Sequence, residues 1–200
     1  MYGLDVSDHE IELANSVDPQ TRRGADFYRV FVQIARGDWI AASQTAERVA
    51  RDRPQLAMLP LATISAILAD DIERARAIDV LADEMPITGR LGAANRLADQ
   101  SLLLALDGRV GEAMPGLREA LRVTDEMSAQ LHYGMLALAM LKVLGPHSAA
   151  ARAAGEHALE TFERNKNHAM AEHVRAALTA APGRTESGAA ETAVMEESRA

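Results

Sequence analysis

The chain has no cysteine. Disulfide scaffolds, thiolate zinc sites and cysteine nucleophiles are therefore closed to it. Aromatic residues are scarce, 4% of 200 positions, with a single tryptophan. A core must then be built from Ala, Leu, Ile, Val and Met. That mixture suits close helix–helix packing better than a β-sandwich, which draws on β-branched and aromatic residues. Lysine is nearly missing. Lys142 and Lys166 are the only two, so nearly all of the 21 basic residues are arginines, and with the abundance of Ala this is the usage of a high-GC bacterial genome. No apolar run approaches the roughly 18–20 residues that span a bilayer. Residues Met1 to Glu12 are acidic and lack an apolar stretch flanked by positive charge, so no secretory signal is expected there. The expected location is the cytoplasm, with no membrane partner.

Positive charge is also in short supply. Twenty-nine acidic residues face 21 basic ones, for a net charge of −8. Nucleic-acid binding draws most of its affinity from phosphate neutralisation and shows as a basic stripe. Here the arginines are dispersed among acids, as on a solvated helical surface, and no direct nucleic-acid partner is expected.

What the chain has is helical periodicity. Ser7-Asp8-His9-Glu10 reads as a capping box opening a short helix in an N-terminal extension, residues 1–18. Phe27, Val30, Phe31 and Ile34 recur at helical spacing over 20–36. After Gly37-Asp38 a helix follows from Trp39 to Arg51, with Ile40, Ala42, Ala46, Val49 and Ala50 as its inner stripe, closed by Pro54. Later segments are Leu56–Ala69 (starting in practice near Pro60), Ile72–Glu84 closed by Pro86, Leu91–Leu106, Val110–Asp125, Met127–Leu144, Ser148–Arg164 and His168–Ala180. Beyond Pro182 the composition turns to Gly, Ser, Thr and Glu, which predicts a disordered tail or linker over 182–200. The fold expected is all-α, with residues 19–181 as one helical domain.

A turn followed by a small residue recurs. Ala42, Ala75, Ala113 and Ala150 each lie five residues after Gly37, Asp70, Gly108 and Gly145. Alanine suits these places because neighbouring helices approach most closely there. With Gly37, Ala42, Ala46 and Pro54 in one unit and Gly108, Val110, Ala113, Leu117 and Ala120 in another, residues 20–180 resemble the tetratricopeptide repeat, a unit of about 34 residues in two antiparallel helices. The pattern departs from the family where its first-helix Trp-Leu-Gly-Tyr set should stand: the third unit offers only Leu97, Ser101 and Leu104. Arrays of this Ala- and Arg-rich kind are also similar to the C-terminal helical regions of bacterial LuxR-type large ATP-binding regulators and of nucleotide-cyclase–ATPase fusions. No phosphate-binding GxxxxGK[ST] loop and no basic helix-turn-helix accompanies them here, which leaves the sensor or scaffold part.

The resemblance implies a right-handed solenoid of about four helix pairs plus a closing helix, with the first helix of each pair lining a concave groove. By repeat position the groove residues would include Tyr28, Val32, Asn95, Asp99, Leu102, His132 and Met135. The plainer alternative buries some of them against neighbouring helices or a second copy. Chemistry offers little competition. His168 and His173 are five apart, on different helix faces, and His147 and His157 are ten apart, so no metal is expected. Ser101, Ser128 and Ser148 lack a nucleophile elbow. Asp70-Asp71 and Asp125-Glu126 fall at turns, where capping explains them. Met85, Met114, Met127, Met135 and Met140 read as core filler. The expectation is a non-enzymatic interaction or scaffold module without a cofactor, binding a protein or peptide partner through the groove or pairing with itself; a small-ligand sensor for a bacterial regulator is the alternative. Met170, Val174 and Leu178 on the last helix need a surface to pack against.

Overall fold

The computed structural model describes residues 19–52, 58–85 and 89–180, and over 19–24 the backbone alone. Among the described residues the structure is all α-helix: α1 Pro19–Arg36, α2 Trp39–Asp52, α3 Leu59–Leu68, α4 Ile72–Asp83, α5 Gly89–Leu106, α6 Val110–Glu126, α7 Gln130–Leu144, α8 Ala149–Arg164 and α9 His168–Thr179. The expected N-terminal capping box, the closing prolines Pro54 and Pro86 and the tail beyond Pro182 lie outside the described residues.

Two helices form the centre. Helix α3 buries Leu59, Leu61 and an unbroken run to Ile67, and α7 buries every residue from Gly134 to Leu141. A run of seven or eight buried residues covers all sides of a helix, so neither can lie at the surface. Accordingly α3 packs on α2, α4, α5 and α7, and α7 packs on α3, α5, α6, α8 and α9. The outer helices α1, α2 and α6 are amphipathic by contrast, with one buried stripe each. One correction concerns α2. Ile40 was expected on its inner stripe but is exposed, while Ala42, Ala46, Val49 and Ala50 are buried.

The turns share one construction. At Gly37, Asp70, Gly108, Ser128 and Lys166 a residue adopts the left-handed conformation, with φ between 54° and 79°. The next residue's N–H then reaches back to a carbonyl five residues earlier: Asp38 to Gln33, Asp71 to Ala66, Arg109 to Leu104, Ala129 to Thr124 and Asn167 to Phe162, at 2.8–3.0 Å. This closure satisfies the orphan carbonyls of one helix while the residue that made it opens the next. Asp38, Asp71 and Asn167 do so with their carboxylate or amide oxygens accepting from Ala41, Arg74 and Met170 N–H. Gly145, aligned with these from sequence, is not one of them. It has φ 79° with an extended ψ of 157°, and Ser148 opens α8 instead. Ala151, not Ala150, is consequently the fully buried alanine of that hairpin. The expected start of α7 at Met127 moves to Gln130 because Ser128 makes the turn.

Each such turn forces the flanking helices together as an antiparallel hairpin, and the buried alanines Ala42, Ala75, Ala113 and Ala171 sit four residues after the opening residue. At the α7–α8 crossing Gly134 lies flat against Phe162, where any Cβ would fall inside van der Waals distance of the ring. Two contacts go beyond nearest neighbours. Helix α3 packs directly on α7, and α9 returns to α1. An open array, in which each hairpin touches only the adjacent ones, makes neither contact. Met170 and Val174 of α9 are buried within the chain and Leu178 packs on Gly155, so this apolar stripe is covered without a second copy.

Candidate functional site

The seven residues expected along a groove do not share an open surface. Leu102 and Met135 are fully buried, Asp99 is 1% exposed, and Asn95 and Val32 are also buried. His132 is half-buried, and burial lowers its pKa from the ordinary histidine value. Tyr28 alone is open, at 51% exposure, its ring edge-on to Phe27 at 5.5 Å between centroids. The physical reason is the packing of α3 and α5 against α7, which fills the space an open groove would occupy.

A concave surface exists elsewhere. Where α9 approaches the first hairpin, a half-open cleft of about 490 Å3 is lined by Trp39, Leu68, Leu138, Leu141, Ala176 and Ala177, together with Lys142, Pro146 and His173. Its position follows from the turns. Gly37 places Trp39 at the first position of α2, and His173 seats against Gly37, where a β-carbon would collide with the imidazole. The His173 Nε2–H donates to the Ala35 carbonyl at 2.9 Å, and its ring meets Trp39 edge-on at 5.0 Å between centroids. Lys142 at the end of α7 pairs with Asp70 of the α3–α4 turn at 2.7 Å. The two polar side chains of the cleft are thus both engaged, and the remaining lining is apolar. Neither forms a nucleophile–base pair.

Sequence reading missed this cleft. It gathers α2, α3, α7 and α9, and the adjoining His173–Ala35 contact from α9 to α1 spans 138 positions, a return that no local spacing announces. The lone tryptophan directly after a Gly-Asp turn was the available signal.

A second recess, of about 20 Å3, lies between Thr124, Tyr133, His157 and Thr161. It has room for about one water. Burial, reinforced by Asp125, raises the Tyr133 phenol to about 12.

Polar groups also meet inside the protein. Arg96 of α5, nearly buried, reaches α4 through ion pairs to Asp79 and to Asp83, the latter at 2.5 Å. One turn along α5, the Asp99 carboxyl is enclosed, and its Oδ1 has no hydrogen-bond partner among the described residues. Burial pushes this carboxyl well above the usual carboxylate range; Arg96 opposes the shift, Asp79 reinforces it and the neighbouring Thr63 hydroxyl opposes it. Among the described residues no group of three or more His, Asp or Glu converges as a metal site, and no helix is long and apolar enough to cross a membrane. No protein-family model, curated protein or solved structure matches the chain.

Proposed function

We propose that this chain is a non-enzymatic interaction module, built from tetratricopeptide-like helical hairpins curled around two core helices, and that it takes an apolar peptide segment of a partner protein in the cleft beside Trp39. The observation that carries this reading is the cleft itself, half-open and lined mostly by apolar residues, its two polar side chains already engaged within the chain. Apolar burial would supply affinity, and the polar groups would set register. The recurring turn and buried alanine support the hairpin relationship. A second reading has one specific support. A volume of about 490 Å3 also falls in the range of small-molecule pockets, so a ligand-sensing domain of a bacterial regulator is the alternative.

Trp39 is the sole tryptophan and lines the cleft, so its emission reports occupancy. Peptides selected by display on the wild-type chain, with Ala176→Arg as counter-selection, would be titrated against that emission. Ala176 is exposed on α9, so the arginine blocks the cleft without touching the core. Selected peptides should carry apolar anchors, shift Trp39 emission and lose at least about tenfold in affinity, about 1.4 kcal/mol, on the variant. If no peptide separates the two proteins while an anilinonaphthalene sulfonate probe binds wild type alone, the ligand-sensing reading replaces this one.

A further inference from the structure

The chain continues beyond α9 from the wall of the cleft itself. Ala176, Ala177 and Ala180 line it, and at Ala180 the helix gives way to extended backbone, with φ −57° and ψ 131°. Residues 181–200 follow. Of the segments outside the described residues, this is the one rooted at the cleft. Residues 1–18 join α1 at Pro19, and the 18 residues of that helix set the junction about 27 Å from the Gly37 turn. Residues 53–57 and 86–88 are short and held at both ends.

The sequence of 181–200 is complementary to what lines the cleft. Val194 and Met195 are its large apolar side chains, adjacent to each other and followed at once by Glu196-Glu197. The cleft offers Trp39, Leu68, Leu138 and Leu141 to the first pair and Lys142 to the second. Lys142 Nζ carries three N–H donors, and the Asp70 carboxylate engages it in an ion pair whose side chains are 40% and 75% exposed. An exposed pair of this kind is worth little, so Lys142 can serve another carboxylate. Between root and anchor lie residues 181–193, and a chain of that length reaches at most about 50 Å, ample for a return to the wall it leaves. Tethering by a short linker supplies an effective concentration in the millimolar range, so an anchor too weak to bind as a free peptide can fill the cleft in its own chain.

We propose that residues 194–197 seat in the cleft of their own chain, Val194 and Met195 against the apolar lining and a glutamate on Lys142, and so compete with a partner peptide for that site. The competition rests on the reading of the cleft as a peptide site; the seating of the segment does not. A partner then binds only those molecules whose segment has left the cleft, and its apparent affinity is reduced by the open fraction.

A single tryptophan in a cysteine-free chain makes the test direct. A nitroxide attached at Ser198→Cys quenches tryptophan emission only at close range. In the full chain it should quench Trp39. The quenching should be largely lost when Val194→Asp and Met195→Asp are introduced together, and again in Ala176→Arg, at an exposed position of α9. Equal quenching in all three proteins overturns the seating. So does quenching that grows with protein concentration, which would place the segment on a second copy. A peptide selected by display should bind V194D/M195D about tenfold more tightly than wild type; equal affinities overturn the competition. Quenching lost in both variants, with no selected peptide binding either protein, would leave the segment seated and overturn the partner reading alone.

Discussion

The two junctions that α5 makes with its chain neighbours are built on opposite principles. Toward α6 it is joined by the three-residue turn Asp107-Gly108-Arg109, with Gly108 left-handed at φ 79°, and the two run in the most extensive contact of any pair among the described helices. Ala113, Leu117 and Ala120 are fully buried there, and Gly116 sits against Ser101 and Leu97 with no room for a β-carbon. Toward α4 the same helix has few close approaches and leans on ion pairs, Arg96 between Asp79 and Asp83 and, at its far end, Arg76 of α4 to Asp107. Small residues and a tight turn produce close-packed contact, which is insensitive to pH and salt. A longer connection leaves helices apart, and only long charged side chains span the gap. Such pairs owe their strength to partial burial and make the junction responsive to charge.

Breaking the charged junction should have the largest effect. Arg96→Met leaves Asp79, four-fifths buried, without its cation, and removing one partner of a buried pair is strongly destabilising. A loss of about 3 kcal/mol is expected, read as a lower urea midpoint at unchanged slope. The close-packed junction should break differently. Ala113→Leu overfills a site with 0% exposure and should cost about 2 kcal/mol. That loss should be equal at low and high salt, whereas the R96M loss should shrink as salt rises. Equal salt responses in the two variants would erase the distinction.

How much of this was legible follows the same division. Helix bounds were readable to within a residue or two wherever Gly or Asp marks the turn, as at Gly37, Asp70 and Gly108. Ser128 makes the same turn with a side chain that gives no sign of a positive φ, so the expected start of α7 falls three residues early, whereas the flanking asparagines mark the turn at Lys166. Asn95, Asp99 and Leu102 stand at helical spacing on α5 and are all buried. Which way that face turns depends on the direct packing of α3 and α5 on α7, and periodicity within one helix carries no information on its partner. Polar residues on a predicted groove and polar residues inside a core have the same spacing.

The smallest effect is the most discriminating. The two arms of Arg96 are unequal: the Asp79 side chain is 21% exposed and that of Asp83 is 68% exposed. An ion pair with one partner in water gains little Coulomb energy over its hydrated ends and is screened by salt. Asp83→Asn should therefore cost only about 0.3 kcal/mol, a shift at the edge of what a urea midpoint resolves. Arg96 keeps Asp79 and its place across the gap, so the salt dependence of stability should stay near that of wild type. A loss from D83N as large as that from R96M would mean that the exposed arm, and not the buried one, joins α4 to α5, and the junction would then be a surface clasp that gains nothing from burial.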